Sequence, residues 1–325
     1  MPETVLVYVG LDAVGDGLIK LPFVRALRAA FPQARITWMA GKGHTVFADT
    51  LAPLVSGLID EVLDEADLGS RVSELCHRPL PGRSFDLIID TQRRLLTTLI
   101  LRRIRHGRFL SPAADFRLSD LRPRDWRKPA SMAAQLMALG ELAAGGKALA
   151  APAQLARDSA IEAEAETLLP TGPRYFGLAP GAGGKHKCWP LERYCALAKA
   201  LAGDGVVPVF LLGPAEAGDW AGSIRAQVPT ALLPLQAAHS VTPMLTIALG
   251  RRMAAAIAND SGTGHMLAAA DIALISLFGP TPPDKFAPTA LHPIVLRAQD
   301  FGGESMTAIP AEAVERAARR ALGLL

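Results

Sequence analysis

The stretch Asn259-Asp-Ser-Gly-Thr-Gly-His265 gathers an amide, a carboxylate, two hydroxyls and an imidazole around two glycines. It directly follows the apolar run Met253 to Ala258 and leads into Met266-Leu-Ala-Ala-Ala270, which reads as a helix. A polar turn between strand and helix presents free backbone N–H groups and the positive end of the helix dipole. That suits an anion, above all a phosphate. The same residues also suit an ordinary cap, with Asp260 or Ser261 accepting from the first N–H groups. His265 equally suits a core histidine bonded to backbone.

Two more loops carry residues of this kind. Ala179-Pro-Gly-Ala-Gly-Gly-Lys-His-Lys-Cys-Trp-Pro190 holds three glycines and two lysines ahead of a helix that starts on proline. It can cradle a phosphate, although it lacks the G-x-x-x-x-G-K-[ST] pattern, and it also reads as a solvated surface loop. Gly10-Leu-Asp-Ala-Val-Gly-Asp-Gly17 follows the first strand, and its glycines do not fit G-x-G-x-x-G, which weakens a dinucleotide reading. It leaves Asp16 between two glycines, as a chemical group or as the N-cap of the next helix.

Alternating strands and helices position these loops. Val5 to Val9, Arg35 to Met39 and Phe85 to Ile89 read as strands, with helices over Leu18 to Ala30 and Gln92 to Ile104. In the second half Tyr175 to Ala179, Val206 to Leu212, Met253 to Ala258 and Ile272 to Phe278 read as strands. Leu191 to Ala202, Ala215 to Gln227 and Val241 to Leu249 are the helices between them, and Ala311 to Leu322 is a last amphipathic one. The scheme predicts two α/β domains with parallel sheets, facing each other across a cleft at the carboxyl ends of their strands. Ala143 to Ala156, rich in Ala, Gly and Pro, marks the boundary. The expected domains are 1–155 and 156–325, with the last helix able to pack back on the first.

Composition narrows the classes. Half of the 325 residues are apolar and a fifth are charged, which excludes a disordered chain. The longest apolar runs are too short to span a membrane, and the first residues show no signal segment, so a cytoplasmic protein is expected. The three cysteines form neither a CxxC pair nor a zinc spacing, and no metal site is expected. Between Arg93 and Lys128 eleven Arg/Lys oppose three acids. Such a block is a solvated face or a surface for an anionic partner: nucleic acid, acidic sugar or negative membrane.

Taken in order, the loops resemble the ADP-heptose–lipopolysaccharide heptosyltransferases, glycosyltransferase family 9. Ala13-Val-Gly-Asp-Gly17 with Leu21-Pro-Phe-Val-Arg-Ala-Leu27 and Phe31-Pro32 is similar to that family's opening signature. Phe85-Asp-Leu-Ile-Ile-Asp-Thr-Gln92 and Lys187-Cys-Trp-Pro190 resemble its next two blocks. Asn259 to His265 with Phe278-Gly-Pro-Thr-Pro-Pro283 resembles its C-terminal one. Gly10 and Asp12 stand where the family often carries an arginine and a serine.

The resemblance implies a GT-B fold of two Rossmann-like domains, acceptor on the first and nucleotide sugar on the second, and inverting transfer without metal or other cofactor. The absence of an Asp-x-Asp pair agrees with the last point. On this reading Asp16 takes the acceptor's proton, and Lys187 balances the charge of the departing diphosphate. Gly181, Lys187, Glu216, Asp260, Ser261, Gly262, Thr263 and His265 bind the donor, Glu216 through a ribose hydroxyl. Gly15, Gln92, Arg93, Arg94 and Arg122 bind the acceptor. The implied partners are a nucleotide sugar, ADP-heptose, and an anionic glycolipid at the cytoplasmic membrane face, not a nucleic acid. Another nucleotide sugar, or a nucleotide-binding relative without transfer activity, stays open; an NAD-dependent oxidoreductase fits the glycines poorly.

Overall fold

The N-terminal apolar run forms β1 (Thr4–Val9), in which Val5 to Val9 are fully buried, as a strand covered on both faces requires. In this computed structural model, which describes residues 1–12, 14–147 and 155–325, the chain divides into two units, Met1–Ala156 and Arg157–Leu325. Half of the stretch read as the boundary, residues 148–154, lies outside the described residues, as does Ala13 of the opening signature.

In the first unit β1 is followed by α1 (Val14–Ala30), β2 (Arg35–Ala40), β3 (Glu61–Leu63) and β4 (Ser84–Asp90). Then come α2 (Leu95–Leu101), β5 (Arg105–Leu110) and α3 (Met132–Ala143). The sheet is parallel with order β3-β2-β1-β4-β5. One face holds Leu6, Tyr8, Met39, Ile88 and Phe109, packed with Ile100 and Leu101 of α2. Helix α1 packs against α3.

The second unit runs α4 (Ser159–Leu168), β6 (Arg174–Ala179), α5 (Leu191–Gly203), β7 (Val206–Phe210), α6 (Pro214–Gln227) and α7 (Pro243–Arg251). It continues with β8 (Met253–Asn259), α8 (Gly262–Ala269), β9 (Ala273–Phe278), α9 (Pro283–Phe286), β10 (His292–Arg297) and α10 (Ala311–Ala321). Its parallel order is β10-β9-β8-β6-β7. Residues of α5, α6 and α10 form the core on one face of the sheet. Residues of α4, α7 and α8 form it on the other. Helix α10 contacts α5, β8 and β9.

Each sheet has one place where successive connections leave in opposite directions. It lies between β1 and β4 in the first unit and between β6 and β8 in the second. Strand ends are level there: Tyr8 pairs with Asp90, and Ala179 with Ala258. Loops leaving such neighbours diverge and open a crevice at the carboxyl end of the sheet, the usual ligand site of open α/β folds.

Three strands escaped the reading by pattern: β3, β5 and β10. All three lie at sheet edges and carry exposed or half-exposed side chains, so no continuous apolar run marks them. The helix expected over Gln92 to Ile104 is only α2, because the chain turns after Leu101 into β5. Helix α1 starts four residues earlier than expected and takes Gly15 and Asp16 into its first turn. A Cβ on Gly17 would lie 2.6 Å from Val46 and 3.0 Å from Leu51, so close packing against the 46–51 segment carries the helix through residues of poor propensity.

Gly41, just past β2, lets the Tyr8 hydroxyl donate to the Leu68 carbonyl at 2.6 Å. A Cβ there would sit 2.3 Å from that hydroxyl and 2.4 Å from the carbonyl oxygen. Gly41→Ala is therefore expected to destabilise the protein by about 1–3 kcal/mol, read as a lower urea midpoint. An unchanged midpoint would show that this contact gives way freely.

Candidate functional site

At the β6–β8 crevice the side-chain amide of Asn259, 1% exposed, joins the two loops. Its Nδ2 donates to the Pro180 carbonyl at 2.6 Å. Its Oδ1 accepts from the Trp189 backbone N–H at 3.2 Å and from the Tyr194 hydroxyl at 3.0 Å. Trp189 is buried, stacks edge-on with Tyr194 at 5.1 Å and donates its indole N–H to the Ile309 carbonyl. The Ala179-to-Pro190 loop is thus anchored at its C-terminal end while its glycines stay half-buried or exposed. Asn259 and Trp189 stood in the sequence blocks without a role; that role shows only once the two loops are adjacent.

These loops and the start of α6 line a pocket of ≈ 320 Å³. Gly181, Glu216, Ser261, Gly262 and Thr263, five of the expected donor residues, lie on its wall. Leu211, Leu235, Val241, Pro243 and Met266 supply an apolar side. Ser261 is the N-cap of α8, its hydroxyl accepting from Gly264 N–H at 3.3 Å. The N–H groups of Gly262 and Thr263, at the first two positions of that helix, have no helical acceptor and remain available. The Ser261 cap therefore leaves these N–H groups able to meet an anion. Glu216 lies in the first turn of α6 against two glycines: a Cβ on Gly181 would be 2.6 Å, and one on Gly213 2.8 Å, from its carboxylate oxygens. A side chain at either place would displace the Glu216 carboxylate.

Asp260 is not a cap. Its Oδ2 accepts from Lys187 Nζ at 2.8 Å and from the Thr281 hydroxyl at 2.8 Å, which ties the two phosphate-type loops together through charge. His265, half-buried on α8, has its pKa lowered by burial, with Asp260 opposing, and is neutral at pH 7. Lys187, Asp260 and His265 lie beside the pocket lining rather than on it.

In the first unit the crevice carries Asp16 on the first turn of α1, half-buried, rather than at the helix cap. Gly15 beside it has open space where a Cβ would be. Gln92 lies across from Gly10, where an added Cβ would meet its Oε1 at 3.4 Å. Asp12 is no loose loop residue but is 2% exposed, with Trp38, Thr45 and Lys20 around its carboxylate.

The profile of glycosyltransferase family 9 (heptosyltransferase) matches residues 75–305. The chain belongs to glycosyltransferase family 9. It is accordingly a glycosyltransferase. No curated protein matches it in sequence. Solved structures with the same fold include the family 9 glycosyl transferase of Veillonella parvula DSM 2008, 20% identical with TM-score 0.72 over 99% of this chain and 98% of that one. E. coli ADP-heptose lps heptosyltransferase II is 23% identical, TM-score 0.67, over 99% of both chains. E. coli heptosyltransferase WaaC with ADP is 20% identical, TM-score 0.67, over 98% of this chain and 99% of that one. The fold class is GT-B, α/β with two Rossmann-like units.

Within this family 9 chain the arginine block divides. Arg102 donates to the Leu118 carbonyl, lies 3.6 Å from Asp120 and stacks over Phe109. Arg103 donates to the His77 carbonyl at 3.0 Å. Arg122, expected on the acceptor, donates to the Ser119 and Arg117 carbonyls at 3.2 and 2.9 Å, so part of its guanidinium is committed to its own turn. Arg93 and Arg94 are exposed in the loop after β4, Arg93 3.5 Å from Gln135 Oε1. Arg94 helps burial to lower the pKa of Lys42, a residue the sequence did not single out.

Asp90, at the end of β4, is fully buried. It accepts from Thr98 and Ser111 hydroxyls at 2.7 and 2.8 Å and from Gln92 N–H at 2.8 Å. Burial outweighs these bonds and pushes its pKa from 3.8 to about 6. A raised folded pKa means that its contribution to stability is full below about pH 4 and is lost as pH rises to about 6. Two pKa units correspond to about 3 kcal/mol. Between pH 4 and 7 the stability of Asp90→Asn relative to the native chain should rise by up to that amount in urea unfolding. A difference independent of pH would remove Asp90 as a titrating group.

Proposed function

We propose that this glycosyltransferase moves a heptose from ADP-heptose to an anionic inner-core acceptor of lipopolysaccharide, by inversion and without a metal. The observation that carries the reading is the pocket where the Gly181 loop, Glu216 and the Ser261–Thr263 helix start converge. Helix-start N–H groups and the Lys187 ammonium suit a diphosphate, the Glu216 carboxylate suits a ribose hydroxyl, and the apolar wall suits a base. Relatives of the same fold include one solved with ADP and one described as an ADP-heptose enzyme.

An acceptor hydroxyl is a weak nucleophile. Asp16 takes its proton as the new bond forms to the anomeric carbon, and the bond from that carbon to the diphosphate oxygen breaks on the opposite side. The charge left on the diphosphate is met by Lys187 and by the N–H groups of Gly262 and Thr263, while Asp260 and His265 hold that turn. Gly15, Gln92, Arg93, Arg94 and the remaining donors of Arg122 receive the acceptor, arginine being suited to bidentate contact with carboxylate or phosphate. The work would be done in the cytoplasm at the membrane face. No helix among the described residues is long and apolar enough to cross the membrane.

Comparing ADP-, UDP- and GDP-sugars as donors tests the nucleotide, and preference for UDP or GDP would overturn the ADP assignment. Asp16→Asn should cut turnover by about a hundredfold to ten-thousandfold and leave ADP affinity unchanged; turnover within threefold of native would remove Asp16 from the reaction. Lys187→Ala deletes a charge-assisted contact worth about 1.5–3 kcal/mol, so ADP binding by titration calorimetry should weaken roughly tenfold to a hundredfold. It also leaves the Asp260 carboxylate with less to oppose it. Unchanged affinity and rate would mean that Lys187 serves only to hold Asp260.

A further inference from the structure

Beneath the turn that carries Asp16 lies a buried ion pair between Asp12 and Lys20, their side chains 0% and 7% exposed. One oxygen of Asp12 takes the Lys20 ammonium. The other accepts from the Trp38 indole N–H at 3.1 Å and the Thr45 hydroxyl at 2.8 Å. The backbone of Asp12 is fastened as well: its N–H donates to the His44 carbonyl at 3.1 Å, and its carbonyl accepts from Val46 N–H at 3.2 Å. Lys20 also reaches the Leu11 carbonyl at 3.5 Å.

A side chain on a helix leans toward the helix N-terminus, so the Lys20 ammonium lies back over the first turn of α1. Asp16 stands midway in the chain between the two partners, one helical turn before Lys20. The turn is therefore held at both ends. Residue 12 is pinned to β2 and to the 44–46 segment, and the helix is pinned to residue 12. Gly17, seated on Val46 and Leu51, fixes the rotation of the same turn.

Two charges taken out of water are a poor way to gain stability, because an apolar pair of similar size does as well or better. What the ion pair adds is direction: a carboxylate with three donors accepts one arrangement of the loop. We propose that Asp12 and Lys20 are positioning residues that fix the orientation of the Asp16 carboxylate. The inference rests on the reading of Asp16 as the base. It accounts for Asp12 in place of serine in the opening signature, and it gives a lysine on the apolar face of α1 something to do.

The test uses the full chain with ADP-heptose and a heptose-free lipopolysaccharide core as acceptor, below the unfolding temperature. Turnover is counted per ADP-binding site in preparations whose urea unfolding shows both units folded, so that misfolded molecules drop out. Lys20→Met should lower kcat about tenfold to a hundredfold, the scale of a small misplacement of a reacting group. Its ADP Kd should stay within twofold of native, and Lys20→Arg should recover most of the rate. Trp38→Phe, which removes only the indole donor, should show a smaller drop in the same parameter. Native kcat per site in Lys20→Met, or in Trp38→Phe if Lys20→Met does not fold, overturns the proposal and leaves the pair as ordinary core structure. Asp16→Asn is run alongside. Native turnover there overturns the base reading itself, and the positioning role with it.

Discussion

In a parallel sheet every strand ends at the same side, and neighbouring strands whose connections leave in opposite directions cannot close the space above them. This constraint organises both units of the chain. Most of the candidate site residues sit on loops that leave a strand at or beside such a place: the turns after β1 and β4 in the first unit, and those after β6, β7 and β8 in the second. The crevice is a consequence of topology. What the chain adds is the set of residues that keep each crevice in one shape.

In the second unit that shape depends on Asn259. One amide group satisfies the Pro180 carbonyl, the Trp189 N–H and the Tyr194 hydroxyl at once. A buried amide with both ends engaged rigidifies its surroundings, because losing any partner leaves a polar group dry and unpaired. The Lys187–Asp260 pair works differently. At 28% and 12% exposure it is wet enough to exchange partners, so under the proposed function a diphosphate would share the ammonium without first breaking a buried ion pair.

The first unit invests in buried charge instead. Asp12 with Lys20 and Asp90 with its hydroxyls lie under the two loops of the β1–β4 crevice. Among the described residues no cation is bonded to Asp90 and its pKa rises to about 6, while Asp12 is met by an ammonium. Exposed arginines of the 93–128 block lie outside this shell, Arg102 and Arg103, bonded to carbonyls, belong to the scaffold, and Arg122 is committed to its own turn only in part. Net charge along a sequence does not separate the two groups.

The amino-acid sequence by itself determined the class of fold, because buried parallel strands such as Val5 to Val9 and Met253 to Ala258 need continuous apolar runs, and their alternation with helices leaves little freedom. It also made the strand-to-helix turns legible, since Ser261 caps α8 and Gly262 and Thr263 open it through local backbone geometry that neighbouring residues specify. Edge strands β3, β5 and β10 were not legible, because one-sided burial leaves no run to read. Nor was the true start of α1, where packing of Gly17 on Val46 overrides weak helix formers. Tertiary structure alone decided the partners of side chains far apart in the chain: Asn259 with Pro180, Lys187 with Asp260, Trp38 with Asp12. Local pattern carries the conformation of a segment. Which polar group satisfies which is settled only when the sheets bring distant loops to the same edge and water is excluded.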